Sequence, residues 1–360
     1  PHMAALFAEL DVPVVKSKMS FGASIDGGRL EYGLASLEAL FAQRKNAQNP
    51  RLLGMVRDVM RFNRNALRVA NEDRTRTLAQ FLDTLGTGAW FRDYYLLPLS
   101  GAIWSTPTEK IMDFPAHAMI QFFENHALLN TTGQHQWYTV NGGSIEYVRR
   151  LEAAMRGNGV DIRLGAPIQS VRRTETGAQL KAWGGEWESF DEVIFATHSD
   201  DSLKLLEDPS EAESAALGAV KYQANDVTLH CDESIMPKHR QTWSSWVYTE
   251  DAGQKSDRID LTYWINSLQP VPMDDPHFVT LNTKRTIPDE KIYDQTVLRH
   301  PVYDLAALAA QDTVRAMNGT NNTWFCGAWM RHGFHEDGLS SAVDVVRSLN
   351  QAPGLQVAAE

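Results

Sequence analysis

Cysteine is scarce in this sequence: Cys231 and Cys326 are the only two among 360 residues. They lie far apart, with neither CxxC spacing nor histidines at ligand spacing, which excludes a disulfide framework and a zinc cluster and predicts two ordinary buried thiols. Long apolar runs are missing too. None approaches the roughly 18 residues needed to cross a bilayer, and the opening residues lack the charged-then-apolar layout of a secretory leader. A cytoplasmic protein is expected, at most peripheral to the inner membrane. Positive charge is also short, with 34 Lys and Arg against 45 Asp and Glu and a net charge of −11. Nucleic-acid binding depends on clustered cations that displace phosphate counterions, so no nucleic-acid partner is expected. Repeats, low-complexity tracts and long Pro/Gly/Ser linkers are absent, which sets aside solenoid, collagen-like and disordered classes.

What remains, 43% hydrophobic and 22% charged residues, describes a globular chain large enough for two closely joined lobes. Residues 1–135 read as mainly helical, opening on Ala4-Ala5-Leu6-Phe7-Ala8-Glu9-Leu10, a helix already under way. Apolar periodicity is strong over 50–70 and over 108–129, where Ile111, Phe114, Met119, Ile120, Phe122, Phe123, Leu128 and Leu129 supply a wide face. Residues 136–206 switch to an α/β pattern. A Gly142-Gly143 turn precedes a helix from Ser144 to Arg156, strands at 160–163, 168–174 and 178–183, and a buried strand through Val193-Ile194-Phe195-Ala196. Residues 207–303 read as a mixed sheet with aromatic spacing at Trp243, Trp246, Tyr248, Tyr263 and Trp264. Residues 304–350 close the chain with a helix at 304–317, a strand at 323–326, a loop, and a last helix over 338–349.

One segment reverses the overall charge. Between Arg44 and Arg76, nine Lys and Arg stand against Asp58, Glu72 and Asp73, a net of +6 that leaves −17 for the rest. Arg57, Arg61, Arg64 and Arg68 recur at helical intervals, with Leu52, Leu53, Val56, Val59, Met60 and Leu67 marking much of the other side. The bland reading is a solvated face paired with nearby acids. The functional one is contact with anionic lipid head groups, peripheral to a membrane.

The closing strand, loop and helix carry the most chemistry. Thr323-Trp324-Phe325-Cys326 ends on Gly327-Ala328, where glycine allows close backbone approach. A helix opening at Gly338-Leu339-Ser340 would leave its leading N–H groups accessible to anionic or electron-rich groups. Between them, His332, His335 and Glu336 offer proton donors and acceptors. No metal is expected there, because these three lack i,i+4 spacing on a helix and a third histidine.

This order of motifs resembles the flavin-containing amine oxidase superfamily. Strand-Gly-Ala followed by Gly333-Phe334-His335-Glu336-Asp337-Gly338 looks like its closing flavin-binding segment. Val140-Asn141-Gly142-Gly143, Ile168-Gln169-Ser170-Val171 and Asp191-Glu192-Val193-Ile194-Phe195-Ala196-Thr197 agree in order. Trp104-Ser105-Thr106-Pro107, Asn125-His126, Gly142-Gly143-Ser144, His300-Pro301-Val302-Tyr303-Asp304 and the 333–338 segment are together similar, more narrowly, to a bacterial branch of predicted NAD/FAD-binding proteins linked to cyclopropane and furan fatty acid metabolism. One family feature is missing. No G-x-G-x-x-G turn occurs anywhere, and Gly86-Thr87-Gly88 follows a helical pattern without the third glycine. The resemblance therefore implies that Pro1 corresponds to a point some tens of residues into a complete member.

The resemblance implies an α/β fold: a glutathione-reductase-like FAD-binding domain, incomplete at its N-terminus, with a mixed-sheet substrate domain and a helical cap. Residues 136–206 and 304–350 would form the FAD portions, 207–303 the substrate sheet, and 1–135 the cap and substrate region. It places Val171 beside the adenine, Gly327 and Ala328 near the ribityl chain, and Gly338, Leu339 and Ser340 at the pyrimidine end of the ring. Phe334 would face substrate, with His335 and Glu336 as catalytic candidates. No counterpart appears of the lysine that holds a water near the flavin or of a two-tyrosine cage. The activity implied is FAD-dependent dehydrogenation of a cyclopropane or methyl-branched fatty acyl chain by hydride transfer. Amine oxidation and a non-catalytic lipid- or partner-binding role are the alternatives.

Overall fold

A computed structural model describes residues 1–104, 111–130, 136–251 and 258–351. The chain runs through α1 (His2–Glu9), β1 (Val14–Ser17), β2 (Phe21–Ile25), β3 (Leu30–Gly33), α2 (Pro50–Glu72), α3 (Leu78–Leu85), a π-helical turn at Arg92–Leu96, α4 (Leu97–Trp104) and α5 (Ala116–Asn125). There follow β4 (Trp137–Val140), α6 (Ile145–Gly157), β5 (Ile168–Thr174), β6 (Gly177–Ala182), β7 (Trp187–Phe190), β8 (Val193–Phe195), α7 (Ser199–Leu205) and α8 (Glu211–Ala219). The remainder is β9 (Lys221–His230), β10 (Trp246–Glu250), β11 (Asp260–Trp264), β12 (Phe278–Leu281), β13 (Ile292–Val302), α9 (Leu305–Met317), β14 (Thr323–Phe325) and α10 (His335–Gln351). Two compact units arise. The first takes residues 1–12, 147–222 and 301–360, and the second 13–146 and 223–300.

In the first unit, β8 and β14 pair in parallel, Val193 opposite Thr323, and β5, β6 and β7 form an antiparallel meander. Its core gathers Val171, Val193, Phe195, Leu217, Val314, Phe325, Trp329 and Met330, with the Phe195 and Phe325 rings 5.3 Å apart. Local chemistry fixes the helix starts. Ser210 and Glu213 form a capping box on α8, and Asp304 accepts the Ala307 amide at the head of α9. The extended stretch 160–163 is not a strand, contrary to its pattern. Val160 and Leu164 are exposed, so no sheet face absorbs the alternation that suggested it. β8 is likewise half-open, with Ile194 exposed between buried Val193 and Phe195.

The second unit is built on a seven-stranded sheet in the order β13-β9-β12-β11-β10-β2-β3. The β10–β2 pair is parallel among antiparallel neighbours, so the sheet is mixed. The mainly helical reading of 1–135 thus misses β1, β2 and β3, which are short and closely spaced; β2 is buried along its whole length. A separate ribbon joins β1 to β4. The helical layer packs aromatic on aromatic: Phe62 of α2 lies 6.3, 5.3 and 6.1 Å from the rings of Phe81, Phe91 and Phe123. Asn49 caps α2 ahead of Pro50, and a Thr77–Gln80 capping box starts α3, which ends at Gly86 in a left-handed conformation. Thus the Gly86-Thr87-Gly88 stretch is a helix terminus and loop.

The buried face of α2 differs from the expected one. Leu52, Met55, Asp58, Phe62, Ala66, Val69 and Ala70 point inward, while Leu53 and Met60 are exposed. Helical periodicity admits either of two adjacent rows, and Phe62 at the centre of the aromatic cluster selects this one. Of the cysteines, Cys326 is buried and Cys231 only half-buried. The Ser105-Thr106-Pro107 part of the 104–107 motif lies outside the described residues.

Candidate functional site

The turn between β14 and α10 is the most tightly specified piece of backbone in the first unit. Gly327 has φ +142°, and a Cβ there would fall 2.8 Å from the Trp329 indole nitrogen, so this position requires glycine. The Trp329 indole donates to the Thr197 carbonyl at the end of β8. The Gly327 amide donates to Ser341 Oγ at 2.8 Å, and the Ser341 hydroxyl lies 2.7 Å from the Gly338 carbonyl. A buried serine therefore latches the strand end to the first turns of α10.

Every carbonyl around the turn from 327 to 331 has a donor. Gly327 takes the Met330 amide, and Ala328 takes those of Arg331 and Gly333. Buried Gln311 of α9 donates to the Trp329 and Arg331 carbonyls, and Arg315 donates to that of Met330. Asp337 accepts from the His332 and Phe334 amides. The loop's conformation is thus set before any ligand arrives.

Helix α10 begins at His335, one turn earlier than expected, because Asp337 caps the approach from within the first turn. The Gly338 amide already donates to the Phe334 carbonyl. The exposed leading amides expected at Gly338, Leu339 and Ser340 belong instead to His335, Glu336 and Asp337. Ser340 is buried and its hydroxyl donates to Glu336. The Ala328 amide has no acceptor among the described residues. A Cβ added at Gly338 would stand 3.6 Å from that nitrogen, so the glycine keeps the amide uncovered.

The remaining candidates separate by environment. Phe334 is half-buried and His335 exposed at the mouth of the helix, its ring 6.1 Å from Tyr147. Glu336 is engaged elsewhere: its carboxylate accepts the His2 and Met3 amides at 2.8 Å each. Burial pushes its pKa up, and the Met3 and His2 amides that it accepts pull it below the usual carboxylate range. Val171 turns its side chain into the core, and its carbonyl accepts the Glu207 amide. It shares that core with Phe325 and Trp329, so β5 and the end of β14 converge on one cluster.

Two groups were quoted in motifs or overlooked rather than assigned. Ser341 is one, hidden in a run of small residues. The other is Tyr303, from His300-Pro301-Val302-Tyr303-Asp304. It is 3% exposed, and its hydroxyl has no hydrogen-bond partner among the described residues. Burial, then the charge of Asp337, pushes its ionisation up. Gly333, at φ +96°, lies against that oxygen. The spacing of 300–304 from 333–338 gave no sign that they meet. In the second unit, Arg57, Arg61, Arg64 and Arg68 form one exposed row on α2, as expected.

Residues 2–334 match the sequence model of the flavin containing amine oxidoreductase family. No curated protein sequence matches the chain. Among solved structures, a putrescine oxidase redesigned in its cofactor binding is similar at a TM-score of 0.63 and 14% identity, covering 96% of this chain and 85% of that one. A CLA-producing fatty acid isomerase from P. acnes has a TM-score of 0.63 and 11% identity over 96% and 83%. Cyclohexylamine oxidase from Brevibacterium oxydans IH-35A has a TM-score of 0.60 and 11% identity over 97% and 85%. At such identities these likenesses establish the fold.

Proposed function

The chain belongs to the flavin containing amine oxidoreductase family and is an FAD-dependent oxidoreductase; from that premise we propose that it dehydrogenates a modified fatty acyl chain, cyclopropane or methyl-branched. The residues of the β14–α10 turn fit a flavin. Gly338 leaves open the space that a Cβ would fill before the Ala328 amide. That amide and the leading amides of α10 would hold the electron-rich edge of the cofactor, aided by the helix dipole. When bound, FAD supplies the acceptor for the hydride removed from substrate carbon, and dioxygen or another acceptor takes the electrons onward.

The observation that carries the acyl reading is the composition of the helical layer in the second unit. Leu97–Trp104 contains no charged residue, and Leu97, Pro98, Leu99, Ser100, Gly101, Ala102 and Trp104 are all buried. The inward side of α5 adds Met119, Ile120, Phe122 and Phe123. Such a layer suits hydrocarbon, and among its described buried residues none offers a protonated amine a counter-charge. The π-helical turn at Arg92–Leu96, a feature frequent at functional sites, leads directly into it.

Dehydrogenation releases one proton beside each hydride. His335, exposed at the first position of α10 and able to accept a proton at a ring nitrogen, is the group we assign to accept it. Glu336 is set aside for that task, since a carboxylate occupied by two backbone amides is a poor base.

Anaerobic titration tests the reading. Loss of the flavin's visible absorbance on adding phospholipid with cyclopropane or methyl-branched chains supports it. A flavin that stays oxidised with every such lipid overturns it, and protein that never takes up flavin would point to a non-catalytic binding role. Two neighbours bear the names of amine oxidases, which favours amine oxidation as the second reading. Peroxide release with an amine as sole substrate would establish that alternative.

A further inference from the structure

We propose that the outward face of α2 is a docking surface for an anionic phospholipid bilayer. At 100° per residue, Leu53, Arg57, Met60, Arg61, Arg64, Leu67 and Arg68 occupy one arc of roughly 120°, opposite the buried row of Met55, Phe62 and Ala66. Within the arc, Leu53, Met60 and half-buried Leu67 lie along one edge and the four arginines along the other. Leu53 is 46% exposed and Met60 53%, large apolar groups kept in water beside cations.

Local acids neutralise the row only in part. Arg68 pairs with Glu72, and Arg61 donates to the Gly86 carbonyl, which leaves its charge uncompensated. Asp58, 3.6 Å from Arg57, is buried and also accepts the Gly88 amide. Arg64 has no ion-pair partner among the described residues. Adjacent Arg44, Lys45, Arg51 and Arg74 are exposed as well.

Charge and exposed hydrocarbon together select the partner. A soluble polyanion would meet the arginines and gain nothing from Leu53 and Met60, whereas a bilayer takes phosphate contacts on one edge and inserts the other below the head groups. Outside 44–76 the chain is net −17, so the same membrane repels the remaining surface and the docked orientation is fixed. The inference is independent of the redox reading, because docking requires neither flavin nor turnover.

Co-sedimentation of the purified protein with vesicles tests it. Each basic side chain near an anionic surface contributes about fivefold to partition. Binding should therefore be stronger to phosphatidylglycerol-containing vesicles than to pure phosphatidylcholine, and should weaken as added salt shortens the screening length. The Arg57→Glu/Arg64→Glu pair should lower binding on the order of a hundredfold. Met60→Asp should lower it several-fold with all the arginines in place. All three positions are exposed, so an unchanged circular dichroism spectrum accompanies the expected result, and the salt response of the unmodified protein is a readout free of any folding defect. Binding that ignores phosphatidylglycerol and salt, or that survives these substitutions in folded protein, overturns the proposal.

Discussion

The contact between Gly333 and Tyr303 yields a sharp test of how the turn is held. Gly333→Ala meets two obstacles. A φ of +96° is one that residues with a Cβ rarely adopt, at a cost of about 1–2 kcal/mol. The new Cβ would also fall 2.7 Å from Tyr303 Oη, and the phenol is too buried to swing aside. Overpacking of this kind costs about 1–3 kcal/mol. Tyr303→Phe removes that oxygen, and the nearest ring carbons lie at an ordinary 3.5 Å. Gly333→Ala should therefore destabilise by about 2–5 kcal/mol in the unmodified protein and by about 1–2 kcal/mol in the Tyr303→Phe background. Tyr303→Phe by itself should be neutral or mildly stabilising in flavin-free protein, since an unpartnered buried hydroxyl is a cost of about 1–3 kcal/mol. Urea unfolding of the four proteins of the cycle, with and without FAD, measures every term. An equal Gly333→Ala penalty in both backgrounds would refute the reasoning.

Other tests follow from the same geometry. Ser341→Ala strips the Gly327 amide of its acceptor and should cost about 1–3 kcal/mol, read as a lowered unfolding midpoint together with weaker FAD binding; unchanged values for both would show that the latch is idle. Burial lifts Asp260 to about 6, only partly countered by Arg285. Because the folded state holds that proton more tightly than the unfolded chain, stability is greatest at low pH and declines from about 4 to about 6, by up to about 3 kcal/mol. Asp260→Asn should flatten that decline in a pH series of unfolding curves, and an unaltered slope would count against it. Glu336 has the opposite sign. Its pKa, lowered by the Met3 and His2 amides against burial, gives stability that is present above the ordinary carboxylate pKa and is lost as the pH falls below it. Glu336→Gln should remove that acid sensitivity and speed hydrogen exchange at the start of α1; slow exchange there in the variant would contradict the assignment.

Much of this molecule was legible from local chemistry alone. The helix at 304–317 announces itself with an Asp304 cap, and β5, β6 and β14 lie where alternation and turn glycines put them. The failures arose where distant partners decide. Residues 160–163 have a strand's pattern and no sheet to join. β1 to β3 are short, and their place depends on β4 and β10, more than a hundred residues away. At the turn, Gly327 was legible as the glycine ending a hydrophobic strand and Ala328 through the family resemblance, but Tyr303 and Ser341 acquire meaning only from the backbone they touch. Glu336 looked like a proton carrier because a sequence shows a carboxyl group without showing the two amides that occupy it.

The pairing of Val193 with Thr323, across 130 residues of chain, has a consequence for biosynthesis. The stretches 13–146 and 223–300 are synthesised before residue 301 is added, so that body has all its parts while β8 still awaits its neighbour β14. During translation the Val193–Phe195 edge therefore remains without this partner until residues 323–325 emerge. Such long-range strand closure is slow and exposes nascent protein to aggregation. Chaperone dependence in the cell should accordingly track the arrival of residues 323–325 more than that of any earlier segment.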